Sequence, residues 1–165
     1  MLRYRTALRH GFDALQTRRI DTDLIIEVCG VLRGGRVTLR DEEPILIEDV
    51  GAGVAVYTPP RGRARLAALL QNLTDFLAAP ADLDPLLRMA VAHYQFEAIH
   101  PFIDGNGRTG RILNILALVQ AGLLDIPVLY LSRYIIDHKA EYYGRLRRVT
   151  ESGDWEGWLL YMLTA

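Results

Sequence analysis

Cysteine is nearly absent. Cys29 is the only one in 165 residues, which excludes an internal disulfide and any cysteine-built zinc cluster. It lies in an apolar helical run, so it reads as a buried structural thiol. An excess of one charge is also missing: 19 basic residues stand against 20 acidic ones, for a net charge of −1. No global basic field draws the chain to nucleic acid. The local cluster Arg61, Arg63 and Arg65 reads as a solvated helix start. No apolar run reaches the ~18 residues of a membrane-spanning helix, and no signal-peptide pattern is visible. The expectation is a cytoplasmic chain with neither membrane nor nucleic acid as partner. Internal repeats and low-complexity segments are absent. So is a P-loop, because no glycine is followed at the right spacing by Gly-Lys-Ser/Thr.

What is present fits one soluble domain. The length allows a real core, and 50% hydrophobic with 24% charged residues is ordinary for a globule. Leu8, Phe12 and Leu15 predict a helix over 2–16. Leu24, Ile25, Val28 and Leu32 predict another over 22–33, with Asp21 as N-cap, Thr22 as the next candidate, and Gly34-Gly35 as its stop. Residues 44–57 change period. Ile45, Leu46, Ile47 and Val54, Val56, Tyr57 flank Gly51-Ala52-Gly53 and predict a β-hairpin, closed by Tyr57-Thr58-Pro59-Pro60. A lone hairpin is weakly stable, so it must lie on the helical body or act as a mobile flap. Helices are predicted over 62–78, from Pro85 (capped by Asp84) to about Ala98, over 106–122, over 133–149, and from Gly153-Asp154 to the end. The apolar residues 127–131 read as a connector. The chain begins inside one helical pattern and ends inside another. The expectation is a single mostly helical core, residues 1–165, that is a fragment of a longer chain.

One stretch organises the rest: His100-Pro101-Phe102-Ile103-Asp104-Gly105-Asn106-Gly107-Arg108-Thr109-Gly110-Arg111. An apolar run, Ile112, Leu113, Ile115, Leu116 and Leu118, follows at once. This reads as a loop feeding the N-terminus of a buried helix, where unpaired N–H groups and the positive dipole end suit a phosphate. Glycines let the backbone approach the anion, and arginines add charge and forked donors. Asp104 can hold a Mg²⁺ that phosphates also bind, and His100 can take a proton from an attacking group. The parts point to nucleotide chemistry.

This stretch resembles, without a gap, the signature of Fic domains, His-Pro-Phe-x-Asp/Glu-Gly-Asn-Gly-Arg-x-x-Arg. The element order is similar to a Fic core along nearly the whole chain. Outside the signature the most family-like piece runs from Tyr130-Leu131-Ser132 through Tyr142-Tyr143 to Trp158. The resemblance implies an all-α Fic fold with one β-hairpin flap at about 44–57. It also implies AMP transfer from ATP to a Tyr, Thr or Ser hydroxyl of a target protein, with pyrophosphate released. His100 would be the general base and Asp104 the Mg²⁺ ligand. Gly105, Asn106 and Gly107 would cradle phosphate, with Asn106 on the α-phosphate, and Thr109 and Gly110 would complete the phosphate-binding turn. Arg108 would meet the outer phosphates, and Arg111 would contact or support them. Tyr142 and Tyr143 would lie near the base or ribose. Val56, Tyr57 and Thr58 of the flap would dock the target by strand addition.

The alternatives are other Fic chemistry (phosphorylation, UMP transfer or AMP removal) and a non-catalytic nucleotide-binding regulatory module. Doc-type kinases depart from Gly-Asn-Gly-Arg, which this chain keeps. Many Fic proteins carry an inhibitory Ser/Thr-x-x-x-Glu-Gly/Asn helix whose glutamate meets the second arginine, here Arg111. Ser152-x-x-x-Glu156-Gly157 matches that string but overlaps the start of the last core helix. An inhibitory helix or antitoxin is therefore expected from outside this chain. Self-modification is open, given eight tyrosines.

Gly105-x-Gly107-x-x-Gly110 with Asp125 also fits the dinucleotide fingerprint, but that motif needs a strand before it and a βαβ unit around it. His93 is two helical turns, roughly 10 Å of rise, from His100, too far for the two to share a metal. It reads as a satisfied helix histidine. His10 and His138 carry no signal.

Overall fold

The computed structural model describes residues 2–41, 47–48, 55–80 and 83–165. In chain order the elements are α1 (Leu2–Ala14), α2 (Thr22–Arg33), β1 (Ile47–Glu48), β2 (Ala55–Tyr57), α3 (Arg63–Ala78), α4 (Pro85–Ile99), α5 (Asn106–Gln120), α6 (Leu131–Asp137), α7 (Lys139–Ser152) and α8 (Trp155–Thr164). The chain is mainly helical, as its periodicity predicts.

Several ends form for the local reasons the sequence suggests. Asp21 caps α2 by accepting from Leu24 N–H at 2.7 Å, and Gly34 ends that helix in the left-handed conformation. Asp84 caps α4 with Pro85 at its first turn, and Asp154 caps α8 through Gly157 N–H. One boundary departs from expectation. The helix predicted over 133–149 is two helices broken at His138, whose backbone (φ −116°, ψ 38°) leaves the helical region. The His138 ring stacks on Tyr134 at 4.1 Å, and no proline or glycine marks the break in the sequence.

The hairpin is present as β1 antiparallel to β2, with Ile47 opposite Tyr57 and Glu48 opposite Ala55. Its Gly51-Ala52-Gly53 turn and residues 44–46 lie outside the described residues.

Helix α5 is the centre of the body. It is buried along most of its length: Ile112 and Leu116 have no exposed surface and Leu113, Ile115 and Leu118 almost none. It packs on α4, α1 and α2. The approach to α1 is close. A Cβ on Gly11 would sit 2.5 Å from Leu116 Cδ1, so glycine is the residue that lets these helices meet. One apolar cluster joins α1–α5 and includes Phe96 and Phe102. A second joins α4–α8 around Trp158.

Trp158 is wholly buried, and its indole N–H donates to Ala90 O at 2.9 Å. His93 stacks against Trp158, and its Nε2 lies 2.9 Å from the Tyr142 hydroxyl. Burial, with Arg111 pushing the same way, lowers the His93 pKa to about 3, so it is a neutral core residue. Among the described residues no helix is long and apolar enough to cross a membrane.

Trp158→Ala is expected to lower unfolding free energy by about 3–5 kcal/mol. Trp155→Ala, on the partly exposed rim beside Tyr94, is expected to cost no more than about 1.5 kcal/mol. Urea unfolding of the two variants checks that order.

Candidate active site

The site is built where α4 ends and α5 begins. His100 closes α4 in the left-handed region, with φ 48°, and is the non-glycine residue with positive φ among those described. That conformation is uncommon for a residue with a side chain and has to be held by its surroundings. The His100 N–H donates to Phe96 O at 3.0 Å. Burial lowers the pKa of the imidazole; Arg40 adds to this, and the Glu97 backbone opposes it. The ring is therefore neutral, and ready to accept a proton, at ordinary pH.

The turn that follows is closed by one side chain. Asn106 is buried, its Oδ1 accepts from Phe102 N–H at 2.9 Å, and its Nδ2 donates to Phe102 O at 2.7 Å. Phe102 is thereby fixed in the core against Phe96. Gly105, with φ 97°, starts α5 without a side-chain cap. A Cβ there would lie 3.3 Å from Cys29 Sγ, so the loop needs glycine for both reasons. The first helical bond runs from Thr109 N–H to Gly105 O at 2.9 Å. The N–H groups of Asn106, Gly107 and Arg108 come before it and face no cap, which is the arrangement that receives an anion.

Charge surrounds this terminus. Asp104 is about half exposed and pairs with Arg33 from the last turn of α2 and with Arg108 one turn into α5. Partial burial raises its pKa, but the Gly105 N–H, Arg33 and Arg108 outweigh this and hold it below the usual carboxylate value. Among the described residues no group of three or more His, Cys, Asp or Glu side chains comes together to hold a metal. Asp104 offers a single ionised carboxylate. That donor set suits Mg²⁺, which is commonly held by one or two carboxylates together with substrate phosphates.

The sequence-predicted residues do not all face this place. Thr109 is fully buried with its N–H already bonded, so it packs rather than binds. Gly110 serves the α4–α5 contact: a Cβ there would stand 2.6 Å from Glu97 Oε1 and 3.1 Å from Phe96 Cδ1. The Asn106 side chain spends both its ends on Phe102. Tyr142 is core, with its hydroxyl on His93. Tyr143 is exposed, meets Tyr142 edge-on at 5.1 Å, and shares the electrostatic surroundings of Glu97 and Arg111. Arg111 folds back so that its Nη1 lies 3.4 Å from where a Gly107 Cβ would be. On the strand side, Tyr57 donates its hydroxyl to Ala98 O at 2.9 Å, Thr58 is exposed, and Val56 stands in β2. Cys29 is buried, with its thiol pKa raised chiefly by desolvation.

Arg33, Arg40 and Glu97 are the site's neighbours that sequence reasoning missed. For Glu97 there was a signal, a lone carboxylate in the apolar run Phe96–Ile99. For the two arginines there was none. The glycine string is not a dinucleotide fingerprint, since helix α4, not a strand, precedes it. Ser152 ends α7 and Glu156 lies in the first turn of α8, so the inhibitory-like string straddles a helix joint.

The Fic/DOC family model matches residues 16–118, and the chain belongs to that family. The chain is 39% identical over 142 residues to protein adenylyltransferase fic-1 of Caenorhabditis briggsae, and 37% identical over 142 residues to that of Caenorhabditis elegans. Each match takes in 83% of this chain and 26% of the relative, so the chain spans about a quarter of these relatives' length. The crystal structure of a Fic family protein from Desulfovibrio desulfuricans aligns with a TM-score of 0.74 at 26% identity, covering 93% of this chain and 47% of that one.

Glu97 gives the site a pH signature. Burial raises its carboxyl from 4.5 to about 7, against the pull of Arg111, and its Oε1 is buried without a hydrogen-bond partner. As pH rises the unfolded chain releases this proton first, so stability falls between pH 4.5 and about 7 and stays lowered above that. Glu97→Gln should therefore gain stability relative to the parent across that window, by up to about 3 kcal/mol. Thermal unfolding of both proteins on either side of the window measures this. A difference that does not change with pH contradicts it.

Proposed function

We propose that this domain is a protein adenylyltransferase, moving AMP from ATP to a Tyr, Thr or Ser hydroxyl of a target protein. The observation that carries the reading is the uncapped start of α5, whose open N–H groups at Asn106, Gly107 and Arg108 follow His100 and Asp104 on the same loop. The name of the nematode relatives supports the same chemistry.

In this reading the N–H groups of Asn106, Gly107 and Arg108 hold the phosphates, and the Arg108 and Arg111 guanidinium groups neutralise them. Asn106 acts mainly by keeping the turn closed. Asp104 would hold Mg²⁺, which when bound supplies further charge neutralisation on the phosphates. His100 takes the proton from the target hydroxyl, and Nε2 is the ring nitrogen left for it, since Nδ1 is buried. The freed oxygen bonds to the α-phosphorus in line, the bond from that phosphorus to the bridging oxygen breaks, and pyrophosphate leaves. Positioning and electrostatics supply most of the acceleration in such a step. Tyr143, exposed beside this region, is the candidate to pack on the adenosine. Tyr57 and Thr58 are the candidates to guide the target segment past His100. Self-modification is part of the proposal, because Tyr130 and Tyr143 are open to solvent. We place the domain in the cytoplasm, and the contact of any inhibitory glutamate from outside it at Arg111.

ATP labelled separately at the α- and γ-phosphates, with Mg²⁺ and cell lysate as target, tests the reading. Label should pass to protein from the α position alone and fall by roughly 10²–10⁴-fold in His100→Ala. Its acid limb should lie below the ordinary histidine pKa of 6.5, because burial lowers the His100 pKa. Transfer of γ-label would instead make the domain a kinase, and transfer that survives His100→Ala would remove the base from His100.

A further inference from the structure

Arg40 is buried, at 3% exposure, on the segment between α2 and the hairpin. Among the described residues no carboxylate pairs with it. Its guanidinium instead donates to backbone: Nε to His100 O at 2.7 Å, and Nη2 to Ile99 O at 3.2 Å and to Pro60 O. Its own N–H donates to Pro101 O at 3.0 Å. Three consecutive carbonyls around the end of α4 thus converge on one residue, and the exit of β2 is tied to the same point. Tyr57 adds a fourth link, through Ala98 O. A buried cation is costly unless hydrogen-bonded, and the negative end of a helix dipole is a favourable place for it. The carbonyls held are those of the segment in which His100 adopts its left-handed backbone.

We infer that Arg40 is a positioning residue: it fixes the backbone of His100 and couples the strand exit at 57–60 to the placement of that imidazole. The inference rests on the reading of His100 as general base. It goes beyond the signature, because Arg40 lies sixty residues before His100 in the chain. A target segment lying along β2 would press on the same clamp that holds the base. Among the described residues, the charged and titratable groups around the clamp are Tyr57 on β2, Arg61 just past the strand exit and Glu97 on α4, besides Arg40 and His100 themselves.

Arg40→Met and Arg40→Lys in the same chain test this by two readouts. One is the NMR titration of the His100 imidazole, assigned by its loss in His100→Gln. The other is the rate of α-label transfer as a function of ATP concentration. In Arg40→Met the imidazole pKa should rise, because a neighbouring positive charge is gone. The transfer rate at saturating ATP should fall by about tenfold to a hundredfold, with KM for ATP within about twofold, since the base is displaced and the phosphate cradle is not. Arg40→Lys, which keeps charge but cannot fork to three carbonyls, should restore the pKa while leaving the rate reduced. An unshifted pKa in folded Arg40→Met, or a loss carried by KM alone, overturns the inference. If Arg40→Met does not fold, Arg40→Lys decides: a parental rate overturns the inference and a reduced rate at unchanged KM supports it. If the parent transfers no label, the functional reading fails separately, and the backbone amides of Ile99, His100 and Phe102 decide the clamp: they shift in Arg40→Lys if Arg40 holds this segment, and unmoved amides overturn the inference.

Discussion

The side chain of Asn106 closes the turn from which the site is made. By bonding both the N–H and the carbonyl of Phe102, it replaces a stretch of backbone pairing that a loop of this shape cannot make for itself. Phe102 is then anchored in the core, Asp104 is lifted to the surface, and α5 begins at a glycine with no side chain over its first N–H groups. A buried asparagine with both amide ends satisfied is a low-cost way to hold such a turn. The same residue with one end free would be a liability.

Around this turn, charge is arranged by depth. At the surface, Asp104 meets Arg33 and Arg108 from two helices, and these partners are exposed enough to exchange for phosphate or cation. Midway, Glu97 and Arg111 sit under Gly107 and Gly110, with a carboxyl that burial brings close to neutral pH. Arg40 is buried as well, compensated by helix-end carbonyls. The exposed groups are suited to binding, and Arg40 to holding the backbone that presents them. In the proposed reaction this division keeps His100 neutral and placed, while the phosphate contacts remain free to change.

Much of this was legible in the sequence because it is local. Asp21, Asp84, Asp154 and Gly34 act within a few residues of themselves, so their patterns name helix ends directly. The signature from His100 to Arg111 marked the loop and helix that form the candidate site. What was not legible depends on residues distant in the chain. Arg33 and Arg40 reach the loop only through the packing of α2 and of the segment after it, and nothing in their neighbourhood distinguishes them from other surface arginines. Thr109, Gly110 and Tyr142 lay in or near strong motifs, yet the helix rotation and the α4–α5 and α7–α8 packing turn them into the core. A motif names the residue types that matter without saying which ones face the ligand and which hold the helices together.

In the proposed reaction the first turn of α5 is a ready-made anion site. Titrating the ¹⁵N-labelled domain with a non-hydrolysable ATP analogue, while following backbone amides, addresses it directly. The Asn106, Gly107 and Arg108 amides should shift together, with Thr109 and Gly110 moving less because their N–H groups are already spent inside the helix. If the three stay still while the analogue binds elsewhere, or if it does not bind at all, the first turn of α5 is not the anion site.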